Sequence, residues 1–141
     1  MSTPGPNEAR AVEAPTAATI MTSPVICVNT TMTLSEVWQL MRRHRVPRVV
    51  VSDGRVPLGI VDQLDALTAW SVSGTAPRAV LTVVTATPCL SPDSTLSEVC
   101  SVLLQAHHEA AMVLDVDGRL RGIVSLDDVL PALSVSRAVS C

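Results

Sequence analysis

The chain has 141 residues, a formal net charge of −3 and 48% hydrophobic residues, yet Phe and Tyr are absent and Trp38 and Trp70 are its only aromatics. That length allows one compact domain or two small units sharing a core, and the core has to be aliphatic. Without aromatic platforms or a basic field, nucleic-acid binding loses its usual basis. No apolar run reaches the about 18 residues of a membrane helix, and residues 1–15 lack a signal peptide's apolar centre, so a cytoplasmic protein without a membrane partner is expected.

Residues 1–15, rich in Pro, Ala, Thr and Glu without periodicity, are expected to be a disordered tail. IMTSPVICV (Ile20 to Val28) reads as extended. Thr33-Leu34-Ser35-Glu36 then opens a helix as a capping box, with Leu34, Val37, Trp38 and Met41 on one face. Arg42, Arg43, His44 and Arg45 close it at the end where cations complement the helix dipole, so this run is a solvated terminus rather than an anion patch. Arg48 to Val51 reads as a strand, Asp53-Gly54 as a hairpin turn and Leu58 to Val61 as the returning strand. A short helix follows from Gln63 to about Trp70. Residues 16–71 thus form a first unit, and 72–78, with Gly74 and Pro77, a linker.

Residues 79–133 run the same programme again, ahead of a tail at 134–141. TLSEV at Thr33 to Val37 returns unchanged at Thr95 to Val99, followed by a helix carrying Leu96, Val99, Cys100 and Leu103 on one face. An apolar strand Ala111 to Leu114, a turn at Asp117-Gly118, a strand into GIVS and a last helix complete it. The expected fold class is α+β (α/β): two β-α-β-β-α repeats, each with a small sheet flanked by helices. Each is too small to hide its own apolar face, so they should pack with pseudo-twofold symmetry around a cleft. The helices at Leu34 to His44 and Leu96 to His107 are expected to keep apolar surface for a second copy of the chain.

Cys27, Cys89, Cys100 and Cys141 form no C-x-x-C pair and read as small buried hydrophobes, with Cys27 and Cys89 at equivalent strand positions. His44, His107 and His108 lack companion Cys or spaced carboxylates, so no metal site is expected. No residue set supplies a nucleophile with its base, so no enzyme is expected.

Gly122 to Asp128, GIVSLDD, returns in altered form as Gly59 to Asp65, GIVDQLD. Each is a strand turning into a helix, where free N–H groups and a positive dipole end suit an anion. Ser125 and Asp128, three apart, fall on one side of the first turn, so a hydroxyl can meet a phosphate while a carboxylate accepts from ribose hydroxyls. The same spacing is also that of a capping box, in which both side chains only satisfy helix N–H groups.

The repeat, with IMTSPVICV, TLSEV and the closing GIV(S/D)-x-x-Asp, resembles a tandem pair of cystathionine-β-synthase (CBS) domains, a Bateman module, here stand-alone. The resemblance implies a regulatory module that binds an adenosine-containing ligand (AMP, ADP, ATP or S-adenosylmethionine) between the repeats and signals to an effector protein in trans. It implies no required cofactor and a homodimer. It places the ligand-binding hydroxyl and carboxylate on Ser125 and Asp128, keeps Asp65 in the first repeat, and puts Asp62 in that repeat's hydroxyl position, where it would repel phosphate. The phosphate-neutralising position holds Arg48 in the first repeat and Ala110 in the second, leaving two half-sites. Arg48 paired with Asp62 would give the first a neutral floor, suited to adenosine or S-adenosylmethionine. The alternative is a non-catalytic scaffold with degenerate nucleotide sites.

Overall fold

The two TLSEV segments start helices in the same way. In the computed structural model, which describes residues 14–73, 87–106 and 110–134, the Thr33 hydroxyl accepts from Glu36 N at 3.2 Å and Glu36 Oε1 accepts from Thr33 N at 3.1 Å. Thr95 and Glu98 repeat both distances. The expected N-terminal tail up to residue 13, the linker from residue 74, His107, His108 and the C-terminal tail with Cys141 lie outside the described residues.

The first unit runs β1 (Cys27–Asn29), α2 (Leu34–His44), β2 (Arg48–Asp53), β3 (Val56–Asp62) and α3 (Gln63–Ser73), preceded by one helical turn, α1 (Ala17–Ile20). The second runs β4 (Cys89–Leu90), α4 (Leu96–Gln105), β5 (Ala110–Leu114), β6 (Leu120–Ser125) and α5 (Leu126–Ser134). Each forms a three-stranded sheet, β1-β2-β3 and β4-β5-β6, whose first pair is parallel and second antiparallel. The hairpin turns use Gly54 (φ 59°) and Gly118 (φ 80°), a left-handed backbone that glycine adopts without penalty.

The unbroken valine run of β2 follows from a sheet covered on both faces. Val49 and Val51 join Val28, Leu34, Val37, Met41 and Val61 in the first unit's core. Between them, Val50 points the other way, into a core shared with Ile60, Ala110, Met112 and Ile123. β5 does the same in the second unit, sending Ala111 and Val113 to its own core with Val99, Leu103 and Val124. The two sheets therefore meet through their second faces.

Four expectations change. Ile20 to Val28 is not one extended segment, because Ala17–Ile20 is helical and only Cys27–Asn29 is strand. This segment is a strap laid across the other unit: Ala17 N donates to Ser94 O and Ala18 N to Pro92 O, both at 2.9 Å, and Ala17 sits in the second unit's core. Further on, Thr22 N donates to Ile123 O at 2.8 Å and Ile123 N to Thr22 O at 3.1 Å. Gly122 is required there, since a Cβ would lie 2.6 Å from Thr22 O and 2.9 Å from Met21 Sδ. Second, Cys27 and Cys89 are exposed, not buried. They share a sheet face with Val50 and Met112, but β1 and β4 are edge strands of their sheets. Third, α3 continues through Ser73 into the stretch read as linker. Fourth, exposed apolar surface is not confined to α2 and α4: Leu34 and Trp38 of α2 line a groove beside α3 and Leu104 of α4 is 87% exposed, but Leu64 and Leu67 on α3 and Leu126 and Leu130 on α5 are exposed too.

Candidate functional site

The strap, the loop before β2 and the end of β6 enclose a cavity of about 170 Å³ at the seam between the units. Its apolar wall comes from Val25, Ile26, Val46 and Ile123, and its polar wall from Thr22, Arg48, Ser125, Asp127 and Asp128. Ser125 and Asp128 are there because β6 runs directly into α5, which places both on the first helical turn with the positive end of the helix facing the cavity.

Asp128 is fully engaged as a cap. Its Oδ2 accepts from Ser125 N at 2.9 Å and from Ser125 Oγ at 3.2 Å, while Oδ1 accepts from Thr22 Oγ1 at 2.9 Å. The last of these ties the strap to the helix start across 106 residues of sequence. A ribose diol reaching this carboxylate must compete with the Thr22 hydroxyl for Oδ1.

Among the described residues, Arg48 brings the only cationic side chain to the cavity wall. Its Nε is buried and has no hydrogen-bond partner among the described residues. A desolvated guanidinium donor left unpaired costs about 1–3 kcal/mol, more for a charged group, so an anion entering the cavity would recover part of that cost.

Asp62 and Asp65 sit together elsewhere. Asp62 N donates to Asp65 Oδ2 at 3.1 Å and Asp65 N to Asp62 Oδ1 at 2.7 Å, a reciprocal capping box at the start of α3. Neither lines the cavity that holds Arg48. Arg48 does face Asp62 across the β2–β3 ladder, but its side chain lines the cavity of Ser125 and Asp128. Ala110, the equivalent position in the second unit, lies opposite Ser125 and takes up little room beside it. So the two half-sites expected from sequence are not separate: the cation of the first repeat and the hydroxyl and carboxylate of the second share one cavity. Sequence reasoning missed Thr22 and Asp127. Asp127 carries no signal apart from lying between Ser125 and Asp128, and Thr22 belonged to a segment read only as extended.

Among the described residues, no group of three His, Cys, Asp or Glu side chains gathers as a metal ion would need. No described helix is long and apolar enough to cross a membrane.

The CBS domain family matches residues 17–71 and again 80–135. Among curated proteins none matches the chain. CBSX2 from Arabidopsis thaliana, a CBS-pair protein, has the same fold at a TM-score of 0.75 and 21% identity, over 90% of this chain and 100% of that one. CBSX2 in complex with AMP is similar at a TM-score of 0.72 and 23% identity, over 86% and 98%. The cytosolic domain of the Mg2+ channel MgtE in complex with ATP is similar at 0.69 and 26% identity, over 82% of this chain and 48% of that one.

Proposed function

Because the chain belongs to the CBS domain family, we propose that it is a non-catalytic, cytoplasmic regulatory module that binds an adenosine-containing ligand (AMP, ADP, ATP or S-adenosylmethionine) in the seam cavity and signals its presence to an effector protein. The observation that carries this reading is the buried, unpartnered Nε of Arg48 on the wall that also holds Ser125 and Asp128. Those residues supply a cation and a hydroxyl for a phosphate and a carboxylate for a ribose. The relatives captured with AMP and ATP support the ligand class.

At about 170 Å³ the cavity is smaller than the roughly 300 Å³ at which sites for drug-sized ligands begin. A nucleotide therefore enters part-way, or the strap shifts to admit it. Thr22, Pro24, Val25 and Ile26 of the strap all line the cavity, so ligand entry acts on a segment that leads to the N-terminus. The test is thermal unfolding with a panel of adenosine compounds. A ligand at 100 times its Kd adds about 2.7 kcal/mol to stability. No shift with any compound favours the scaffold reading, which the reciprocal Asp62–Asp65 cap supports, since both carboxylates there already serve the helix.

The module acts as a homodimer in this reading. Leu64 and Leu67 are 68% and 57% exposed, and beside them an apolar groove of about 240 Å³ runs between α2 and α3, lined by Leu34, Trp38, Ala66 and Leu67. A stable interface there should bury upwards of about 1,000 Å² and persist at high salt. A monomer mass by light scattering at micromolar concentration sinks it.

A further inference from the structure

The polar wall of the cavity carries two carboxylates against one guanidinium. They are not equivalent. Asp128 is held by Ser125 and Thr22, whereas Asp127, next to it and exposed, accepts no hydrogen bond and forms no ion pair among the described residues. We propose that Asp127 is a specificity-determining residue that limits the cavity to a ligand with a single phosphate, a nucleoside monophosphate, and turns away di- and triphosphates. This rests on the adenosine reading above.

A phosphate monoester drawn to Arg48 Nε brings between one and two negative charges at neutral pH. The guanidinium and the N-terminal end of α5, equivalent to roughly half a positive charge, attract it, while the charge of Asp128 is taken up by its bonds from Ser125 and Thr22. Each further phosphate adds charge for which the wall has no second cation, and it adds it beside the free carboxylate of Asp127. Unlike Asp128, Asp127 has no protein donor among the described residues, so only solvent screens its repulsion of the ligand. A like-charge contact within a few ångströms at the edge of a protein opposes binding on the order of tenfold.

Calorimetric titration of the full chain with AMP, ADP, ATP and S-adenosylmethionine, in EDTA and again with Mg2+ in place of EDTA, tests this in the parent, Asp127→Asn and Asp127→Glu. The parent is expected to bind AMP at least tenfold more tightly than ATP. Asp127→Asn should shrink that ratio on the order of tenfold, mainly through a gain in ATP affinity, and Asp127→Glu should restore it. Equal AMP and ATP affinity in the parent overturns the proposal, as does an Asp127→Asn change that alters both affinities by the same factor. Tighter binding of S-adenosylmethionine than of AMP also overturns it, because Arg48 would then not be reading a phosphate. ATP binding that needs Mg2+ and vanishes in Asp127→Asn would make the carboxylate a metal ligand and overturn it too. Those results leave the adenosine reading standing; failure of every compound to bind any of the three proteins removes both.

Discussion

Replacing Asp128 by Asn separates the two roles that its position allows. The carboxylate accepts from Ser125 N at 2.9 Å, Ser125 Oγ at 3.2 Å and Thr22 Oγ1 at 2.9 Å. Asn keeps the shape and one acceptor oxygen, so the bond from Ser125 N survives in neutral form, while the new amide NH2 faces the Thr22 hydroxyl, which can turn to accept. What is lost is charge assistance, the difference between about 1.5–3 and about 0.5–1.5 kcal/mol per hydrogen bond. Partial exposure lowers this, and the expected loss of stability is about 1–2 kcal/mol, similar to removal of an N-cap and worth roughly 4–8 °C in Tm. If the same carboxylate also holds a ribose diol, loss of its charged acceptors weakens AMP binding by about 2–4 kcal/mol, roughly 30- to 1,000-fold. Urea denaturation and calorimetry on the same sample measure both. Asp65→Asn is the control, because it neutralises the matching cap carboxylate at α3 without touching the cavity of Arg48. It should lose comparable stability and keep its AMP affinity. If Asp128→Asn behaves like Asp65→Asn, losing Tm but no affinity, Asp128 is a cap and the ribose assignment is refuted.

Arg48→Met is expected to raise stability by about 1 kcal/mol, since it keeps the apolar stem and removes a buried unpaired donor, while AMP affinity falls at least tenfold; lower stability with intact affinity would contradict this. Gly122→Ala puts a Cβ 2.6 Å from the Thr22 carbonyl, so the strap must move, and a loss of about 1–3 kcal/mol with faster hydrogen exchange at Thr22 N is expected; an unchanged denaturation midpoint argues that the strap is loose. The Glu36 carboxyl is held below its ordinary value first by the Thr33 N–H and then by the Thr33 hydroxyl. Its capping contribution is therefore full above about pH 4.3 and is lost as pH falls through the lower folded value, so the Tm gap between parent and Glu36→Gln should close in acid, and a gap that widens there refutes the assignment.

Local chemistry made much of the fold legible before any coordinates. TLSEV encodes a capping box that depends only on residues three apart, and Asp-Gly encodes a turn that only needs a left-handed backbone, so both repeats could be drawn from sequence. What stayed hidden was which unit each segment serves. Ala17, Ile20 and Met21 carry helical spacing, but nothing in the spacing says that they pack on Leu90, Val99 and Val124 rather than on their own unit's core. Cys27 and Cys89 sit in apolar strands, and a strand's composition does not reveal that it lies at the edge of a sheet with its side chains exposed. The site shows the same limit. Arg48 and Asp62 face each other across one ladder, which invites pairing them, yet the Arg side chain lines a cavity together with Ile123, Ser125, Asp127 and Asp128 of the other unit.

That crossing changes how the two repeats are to be compared. Taken one at a time, each has a defect, Asp62 where a hydroxyl would serve a phosphate and Ala110 where a cation would. At the seam Arg48 of the first unit and Ser125 and Asp128 of the second line one cavity, which Asp62 does not reach. A ligand held by Arg48 on one unit and by Ser125 and Asp128 on the other bridges the two, and it binds only while the shared core of Val50, Ile60, Ala110, Met112 and Ile123 keeps the sheets together. Its binding free energy therefore adds to the packing of the units against each other rather than to either alone. Thr22 donates its hydroxyl to the Asp128 carboxylate that the ribose would use in the proposed reading, and its backbone pairs with Ile123 beside the cavity. In the proposed reading occupancy would act on the strap at the point where it crosses between units, and a change there would be felt by the second unit's core, which holds Ala17 and packs against Ile20 and Met21.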